Sequence, residues 1–362
     1  MEKGVLVLRD GTVVEGTGFG SPGFSEGEVV FTTAMTGYPE YLTDPSYRYQ
    51  ILMPTYPLIG NYGVDDGSLE SDRIQVEGFV VGELCDLPSH FKGKKTLHEW
   101  LTENKIPGIQ GVDTRYLTRK IRVHGVIEGI LKYPCESGEI PELVARASKL
   151  RKISEMDLVG LVSTKKTVVH KPVGKLRARV VLLDVGTKLS IIRKLLERGV
   201  EVVQVPAKTT AKAILSHEPD GVLVSNGPGD PKKLPYVHKS ICGVIDMQVP
   251  LFGICFGNQL LAHALGGDTK KLKFGHRGAN QPVKDLKTGR VYVTSQNHGF
   301  VVDPDSLDGT GLKVSHINLN DGTVEGMVHE SLPVASVQYH PEAHPGPWDS
   351  YYLFDEFMKR LK

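Results

Sequence analysis

The sequence predicts an α/β protein of two domains: a mixed α+β domain, then an open, mostly parallel sheet with helices on both faces. The 362 residues are enough for two or three domains. Beyond Arg179, apolar strand patterns alternate with helical patterns, which is typical of βαβ units and a parallel sheet. Residues 1–150 lack that regular alternation. We therefore expect one domain over residues 1–165 and another over 178–362.

Short apolar runs bounded by turn residues predict the strands of the first domain. Residues 5–15 read as two strands around an Asp10–Gly11 hairpin turn. Asp113 is a suitable N-cap for a helix that stops before Gly125. The other expected strands are 29–32, 50–53 and 74–82, and the expected helices are 97–104, 113–122 and 142–150.

The polar stretch 164–176 has neither a helical nor a strand pattern and predicts a linker. The loops 225–230 and 253–257 both leave predicted strands at the carboxyl edge of the second sheet, where sites form in parallel sheets. The expected strands are 179–184, 201–205, 221–225 and 251–254, the expected helices 188–198, 210–217, 237–247 and 351–361, and short strands are expected over 270–338.

Composition excludes several classes of protein. Hydrophobic residues make up 40% and charged residues 23%, and the formal net charge is +1, so neither nucleic acid nor a membrane is an expected partner. No apolar run is long enough to span a bilayer, and the N-terminus has no signal-peptide pattern. The four cysteines are far apart, which argues against disulfides and a zinc site. We expect a cytoplasmic protein.

Residues 249–267 predict a nucleophile elbow. An apolar run leads into Gly253–Gly257 with Cys255 at its centre, and a helical pattern follows until Gly266. Glycines fit this turn because side chains there would crowd the backbone. At a helix N-terminus, the helix dipole favours the thiolate form of a cysteine over the thiol. The alternative is a buried structural cysteine in a strand-to-helix turn.

A thiol nucleophile needs a base, and His340 has the best geometric claim among thirteen histidines. It ends an apolar strand, and Pro341 favours an extended backbone, so His340 and Glu342 point to the same side. Glu342 would then hold the imidazole in one tautomer. His263 is expected to pack on the elbow helix, and His298 to act from a neighbouring loop. The prolines around His340 and His344 argue against a metal pair, and no metal is expected.

Acyl transfer also needs hydrogen-bond donors for an oxyanion. The backbone N–H of Phe256, next to the proposed nucleophile, is the standard donor of an elbow. The Gly/Pro-rich turn Asn226–Pro231 leaves a strand at the same edge and offers a second donor, although a plain turn has the same composition. It does not end in Gly-Lys-Ser/Thr and is not a phosphate loop.

Together these residues resemble a class I, triad-type glutamine amidotransferase domain with a flavodoxin-like sheet, from about Arg179 to the C-terminus. Gly253–Gln259 is similar to its nucleophile motif, His340–Glu342 to its base and orienting acid, and Asn226–Asp230 to its glutamine-site loop.

The match extends further, to the small, glutaminase subunit of carbamoyl-phosphate synthetase, over nearly the whole chain. Phe256, Asn258 and Ser190 depart from the residues common in relatives, which are Leu, His and Asn. The segments that resemble this family are Met35–Glu40, Leu42–Tyr47, Gly111–Arg119, Gly275–Val283 and Ser295–Phe300. The resemblance implies glutamine binding by Ser46, Lys188, Gly227, Gly229, Phe256, Gln259, Asn297, Gly299 and Phe300.

The resemblance implies an enzyme that hydrolyses glutamine through a Cys255 thioester, with His340 moving the proton. It implies a heterodimer with a large synthetase subunit, which uses ATP, Mg and bicarbonate to make carbamoyl phosphate for arginine and pyrimidine synthesis. We expect this chain to need no cofactor, and we expect its first domain to dock the partner. The alternatives are the glutaminase of another synthetase, another thiol hydrolase such as a peptidase, and a catalytically silent scaffold subunit.

Overall fold

The computed structural model describes residues 2–361, and the chain forms two compact units that divide between Glu155 and Met156. The expected linker therefore lies inside the second unit. Its residues Val168–His170 form a strand that pairs antiparallel with residues 202–204. Three residues are too short a pattern to reveal a strand, because pairing with a distant neighbour decides their conformation.

The N-terminal unit is built on a closed seven-stranded barrel. The strands of this unit are β1 (Lys3–Leu8), β2 (Val13–Gly20), β3 (Gly23–Thr32), β4 (Gln50–Pro54), β5 (Leu58–Ile59), β6 (Gly78–Val80), β7 (Glu83–Leu84), β8 (Pro107–Gln110) and β9 (Ile127–Tyr133), and its helices are α1 (Tyr38–Leu42), α2 (Leu97–Glu103), α3 (Thr114–His124) and α4 (Ile140–Ala147). The barrel order is β1-β2-β8-β6-β4-β3-β9, and β5 pairs with β7 in a separate two-stranded sheet.

Closure of the barrel goes beyond the expected mixed α+β arrangement. Strand β9, which the sequence reasoning missed, closes the barrel by pairing antiparallel with both β1 and β3. All five residues of β4 are buried, as are the last five of β1, so these strands are covered on both faces. The three expected helices are confirmed, and the Asp113 side chain accepts a hydrogen bond from the Tyr116 backbone N–H at 2.8 Å as the N-cap of α3.

The second unit contains an open ten-stranded sheet. Its strands are β10 (Val168–His170), β11 (Ala178–Asp184), β12 (Val200–Pro206), β13 (Gly221–Val224), β14 (Leu251–Ile254), β15 (Thr269–Asp285), β16 (Val291–Val302), β17 (Leu312–Asn318), β18 (Val324–His329) and β19 (Val334–Val337), and the helices of the unit are α5 (Val159–Val162), α6 (Leu189–Glu197), α7 (Ala211–Leu215), α8 (Pro235–Ile245), α9 (Phe256–Ala264) and α10 (Tyr352–Met358). The strand order is β10-β12-β11-β13-β14-β19-β18-β17-β15-β16. The five strands β12-β11-β13-β14-β19 are parallel, in the order of flavodoxin-like sheets.

Helices cover both faces of the parallel strands, as expected. On β11, Val181 and Leu183 join a core with α7, α8 and α9, whereas Val180 and Leu182 join a second core with α6 and α10. Successive side chains of a strand point to opposite faces, so a strand covered on both faces is apolar throughout. The expectation of short strands after residue 270 holds for β17, β18 and β19, which have 7, 6 and 4 residues. It fails for β15, which has 17 residues, and β16, which has 12, because these two pair as a long hairpin.

None of the helices formed by residues 2–361 combines the length and the apolar character needed to cross a bilayer.

Candidate active site

Cys255 occupies a strained turn between β14 and α9. It is the N-cap of the helix, with φ 54° and ψ −99°, a backbone conformation that a residue with a side chain rarely adopts. Strain of this kind persists only where the surrounding structure enforces it, and it aims the side chain of an elbow nucleophile. The sulfur is buried, with the residue 1% exposed. The predicted strand–turn–helix is therefore present, with Cys255 at its apex.

The two elbow glycines are sterically required. A Cβ atom on Gly253 would lie 2.6 Å from Leu261 Cδ1 and 2.7 Å from the carbonyl carbon of Gly257. A Cβ atom on Gly257 would run into the backbone carbonyl of Val224 on β13. Both clashes involve backbone groups, that of Gly257 in the first turn of α9 and that of Val224 in the sheet, and these close-packed groups cannot move aside freely.

His340 and Glu342 form a buried hydrogen-bonded pair just after β19. Nδ1 of His340 lies 2.6 Å from Oε1 of Glu342, and the two residues are 3% and 0% exposed. The backbone N–H of His340 donates to the carbonyl of Ser295 at 2.9 Å, which fixes this segment against β16. The other ring nitrogen, Nε2, is buried and makes no hydrogen bond with good geometry.

Electrostatics favour the protonated form of His340. Burial lowers the pKa of His340, but the Glu342 carboxylate and the nearby Cys255 outweigh it and raise the pKa to about 10. Burial raises the pKa of Glu342, but Lys188 and His340 together hold it well below its usual value. The arrangement therefore supports an imidazolium held beside a sulfur nucleophile.

Lys188 is buried beside the His340–Glu342 pair. Its ammonium is 3.1 Å from Oε1 of Glu342 and donates to the backbone carbonyls of Ala343 and His344 at 2.7 and 3.3 Å. The residue is 3% exposed. These contacts make it a residue that positions Glu342, a role that sequence reasoning did not give it. Its expected contact with glutamine stays a prediction.

Strand β16 lines the other side of the sulfur. The Cys255 thiol lies 3.6 Å from the Asn297 carbonyl oxygen. The Gln259 amide donates to the carbonyl of Phe300 at 2.8 Å, while its Oε1 is buried without a hydrogen-bond partner. Gly299 lies between them on the same strand. Cys255, Gln259 and this stretch of β16 are therefore brought together.

The loops after β11 and β13 are joined beside the elbow. The Asn226 side chain accepts a hydrogen bond from the Lys188 backbone N–H at 3.0 Å. A Cβ atom on Gly227 would lie 3.1 Å from the Phe256 ring, and Gly229 has φ +94°. The Gly/Pro-rich turn thus comes close to Phe256, the first residue of α9, whose N–H has no acceptor within the helix.

The rival histidines have other partners. His263 stacks on His238 with ring centroids 5.1 Å apart, and burial lowers its pKa to about 4. His298 has Gln296 Oε1 and the Phe300 carbonyl 3.0 Å from its ring nitrogens, and burial lowers its pKa. His344 is also held neutral, because burial and Lys188 lower its pKa to about 4. The position of His263 agrees with its expected packing role, whereas His298 lies within strand β16 and not in the expected loop.

A buried ionic cluster beside β16 escaped the sequence reasoning. Nε2 of His276 lies 2.9 Å from Asp321 and Nδ1 lies 3.5 Å from Glu325. With His298, His276 and Glu325 form a group of potential metal ligands. Both ring nitrogens of His276 already face carboxylate oxygens, however, so a proton satisfies the cluster. The only signal in the sequence is its place in Gly275–Val283, one of the family-like segments.

Ser46 belongs to the N-terminal unit. It lies in a turn where the Asp44 side chain accepts a hydrogen bond from its backbone N–H at 2.9 Å. Its part in glutamine binding stays a prediction.

The fold and the cysteine site define a class I glutamine amidotransferase. Residues 181–360 match the family model for glutamine amidotransferase class-I. Residues 6–131 match the model for the carbamoyl-phosphate synthase small chain, CPSase domain. The chain belongs to the carbamoyl-phosphate synthase small chain family, and it is the glutaminase subunit that supplies ammonia for carbamoyl phosphate synthesis.

Curated relatives agree over almost the full length. The chain is 55% identical over 359 residues to a carbamoyl phosphate synthase small chain of Methanopyrus kandleri, covering 98% of each protein. It is 56% identical over 357 residues to that of Methanocaldococcus jannaschii, again with 98% of each covered. It is 50% identical over 374 residues to that of Pyrococcus furiosus, covering 100% of this chain and 98% of the relative. The family expected from the sequence is therefore confirmed.

Proposed function

We propose that Cys255, His340 and Glu342 hydrolyse glutamine through a covalent glutamyl thioester. The observation that supports this is the buried His340–Glu342 pair, 2.6 Å apart, beside a cysteine at the apex of a strained elbow. A nucleophile, a proton-transferring base and a group that orients the base are the three parts that thiol acyl transfer requires.

In the first step, the Cys255 thiolate attacks the side-chain amide carbon of glutamine, and a C–S bond forms. The C–N bond then breaks, and the His340 imidazolium gives its proton to the leaving nitrogen, which departs as ammonia. In the second step, His340 takes a proton from water, whose oxygen attacks the thioester carbon. The C–S bond breaks, the product carboxylic acid loses its proton to solvent and leaves as glutamate, and the Cys255 thiolate is restored beside an imidazolium. Glu342 orients His340 and stabilises its charge throughout.

The proposed glutamine site lies where the elbow, β16 and the two loops meet. The Phe256 backbone N–H, with Gly227 in the adjacent turn, would stabilise the oxyanion of the tetrahedral intermediate. The orphaned Oε1 of Gln259 offers a buried acceptor for an N–H group of the substrate, since such atoms are rarely left unsatisfied. Asn297, Gly299, Phe300, Gly229 and Lys188 complete the proposed set within this unit. Glutamine contact by Ser46 stays a prediction from the family resemblance.

We propose that the ammonia passes internally to a large synthetase chain, which binds ATP and Mg and makes carbamoyl phosphate for arginine and pyrimidine synthesis. The N-terminal unit would dock this partner. None of the three proposed catalytic residues belongs to that unit, although it accounts for nearly half of the chain. All four cysteines are free, which supports a reducing compartment such as the cytoplasm.

Replacement of the nucleophile tests the proposed chemistry. Cys255→Ser should abolish glutamine turnover, because a hydroxyl is a far weaker nucleophile at neutral pH, while carbamoyl phosphate synthesis from added ammonia by the reassembled complex persists. The matched control is Cys242→Ser, since Cys242 is half-buried and its thiol donates a hydrogen bond to the Ala264 carbonyl. Wild-type turnover by Cys255→Ser would overturn the proposal.

Reconstitution tests the proposed partner. Glutamine turnover by the full chain should rise on adding the large chain, since hydrolysis without an acceptor loses ammonia. A coupling of roughly 3 kcal/mol changes activity over a hundredfold. Equal turnover with and without the large chain, under conditions where the two chains associate, would show that the partner does not control the site.

A further inference from the structure

Gln338 is a buried side chain that has no role in the proposed steps. It lies just after β19, two residues before His340, and is fully buried. Its Nε2 lies 3.7 Å from the Cys255 sulfur, within hydrogen-bond range for a sulfur acceptor. A polar side chain with no exposure, directed at the nucleophile, calls for an explanation beyond packing.

The hydrogen-bond network determines which end of the Gln338 amide faces the sulfur. The Phe300 carbonyl can only accept, so the Gln259 atom 2.8 Å from it must be the amide nitrogen. That NH₂ group also lies 3.2 Å from Gln338, which must therefore present its oxygen there. The Asn258 amide donates to the same oxygen at 3.2 Å. The NH₂ group of Gln338 is consequently left to point at Cys255.

Asn258 is itself fixed in the matching orientation. The Ser336 hydroxyl donates to its Oδ1 at 2.8 Å, and its Nδ2 donates to Gln338. All of these side chains are at most 2% exposed. A fully buried chain of this kind holds a donor in place without the reorganisation that water would require.

Besides His340, the sulfur has two uncharged neighbours, and each of them suits a different protonation state. The Asn297 carbonyl, 3.6 Å away, can only accept a hydrogen bond and suits the thiol. The Gln338 N–H can only donate and suits the thiolate. Hydrogen bonds to a charged partner are stronger than those to a neutral one, so the amide favours the charged, nucleophilic form.

We infer that Gln338 is a further catalytic residue, which stabilises the Cys255 thiolate by donating an amide N–H to it. This inference rests on the proposed role of Cys255 as the nucleophile. The same amide would also stabilise the thiolate when it leaves the thioester in the second step. The alternative is that Gln338 only fills space and anchors α9 through Asn258 and Gln259.

Alkylation of Cys255 by iodoacetamide across a range of pH separates the two roles, because it reports the thiolate without requiring glutamine. Mass spectrometry of the Cys255 peptide keeps the other three cysteines out of the measurement. In Gln338→Met, which keeps the length and removes the donor, the pH of half-maximal alkylation should rise, and the rate at pH 7 should fall roughly ten- to a hundredfold. kcat should fall with it, with little change in KM.

Gln338→Glu provides a second variant if the Met variant folds poorly. It keeps acceptors for Asn258 and Gln259 but turns a carboxylate towards the sulfur, so its alkylation midpoint should lie above that of the wild type. The matched control is Gln204→Met on β12. The Gln204 side-chain amide forms hydrogen bonds with His170 and Asp184 across the sheet, away from Cys255, so the alkylation midpoint of Cys255 should not change in this variant. The ionisable groups around this end of the site, namely His340, Glu342, Lys188, His298 and Arg277, are unchanged in every variant.

The outcomes distinguish this inference from the proposed function. A wild-type Cys255 that reacts no faster than the other cysteines would undermine its role as a nucleophile. A reactive wild type with an unchanged midpoint in both Gln338 variants would overturn the role of Gln338 alone. A midpoint raised in both variants and unchanged in the control supports it.

Discussion

Oε1 of Glu342 lies 2.6 Å from Nδ1 of His340 and also 3.1 Å from the ammonium of Lys188. One carboxylate oxygen therefore bridges the proposed base and a buried cation. The three side chains are at most 3% exposed. Removing any one of them leaves a buried charge without its partner, which is more costly than the loss of a single surface ion pair.

Replacing His340 should reduce activity more than replacing Glu342. We expect His340→Asn to lower kcat by at least about a hundredfold, because it removes the group that moves the proton. Glu342→Gln should be less damaging, because the amide can still hold the ring while losing the charge that stabilises the imidazolium. Steady-state glutaminase kinetics of the two variants check the ranking, and a reversed order would mean that the roles are misassigned.

Lys188→Met should lower both stability and activity. Loss of the ammonium leaves the Glu342 carboxylate buried with less compensation, a change that typically costs about 3–5 kcal/mol. Denaturant unfolding and glutamine turnover measure the two effects. The control is Lys212→Met on α7, where the lysine is exposed and a change of a few tenths of a kcal/mol is expected. Equal stabilities of the two variants would contradict the positioning role.

The His276 cluster should make stability depend on pH. Burial lowers the pKa of His276, but Asp321 and Glu325 outweigh it and raise the pKa to about 9, above its unfolded value near 6.5. The protonated imidazole therefore contributes fully to the free energy of unfolding below about pH 6.5, and this contribution is lost as the pH rises through about 9. Burial also raises the pKa of Glu325, so that group likewise lowers stability as pH rises.

His276→Gln should therefore cost more stability at pH 6 than at pH 10, by up to about 3 kcal/mol. Thermal unfolding of the wild type and the variant at both pH values measures the difference. His124→Gln, at an exposed histidine in the last turn of α3, serves as the control and should show little difference. An equal penalty for His276→Gln at pH 6 and pH 10 would show that the buried imidazole is not charged.

Local patterns predicted the elbow and the relation of His340 to Glu342, because both depend on residues close in sequence. The elbow glycines are typical of a tight turn, and Pro341 favours an extended backbone at the residue before it, so few other local conformations fit these sequences. Barrel closure by β9, the edge strand β10 and the long β15–β16 hairpin depend on pairing between distant segments, which periodicity does not reveal.

The same reason explains the missed site residues. Lys188 reaches Glu342 across more than 150 residues of chain, and Gln338 acquires its orientation from Phe300 through Gln259. A single Lys or Gln in a sequence does not indicate a site, because its burial and its partners are known only from the fold. Only the resemblance to a family singled out Lys188 beforehand, and it suggested contact with glutamine rather than with the carboxylate.

Direct trapping of the covalent intermediate tests the central claim. Full-length protein should be mixed with glutamine, quenched in acid during steady-state turnover and digested, and the peptide containing Cys255 examined by mass spectrometry. The account predicts a glutamyl thioester on Cys255 in the wild type and its loss in Cys255→Ser, with Cys242→Ser behaving as the wild type. Turnover of glutamine with the adduct on another residue, or undiminished in Cys255→Ser, would contradict it.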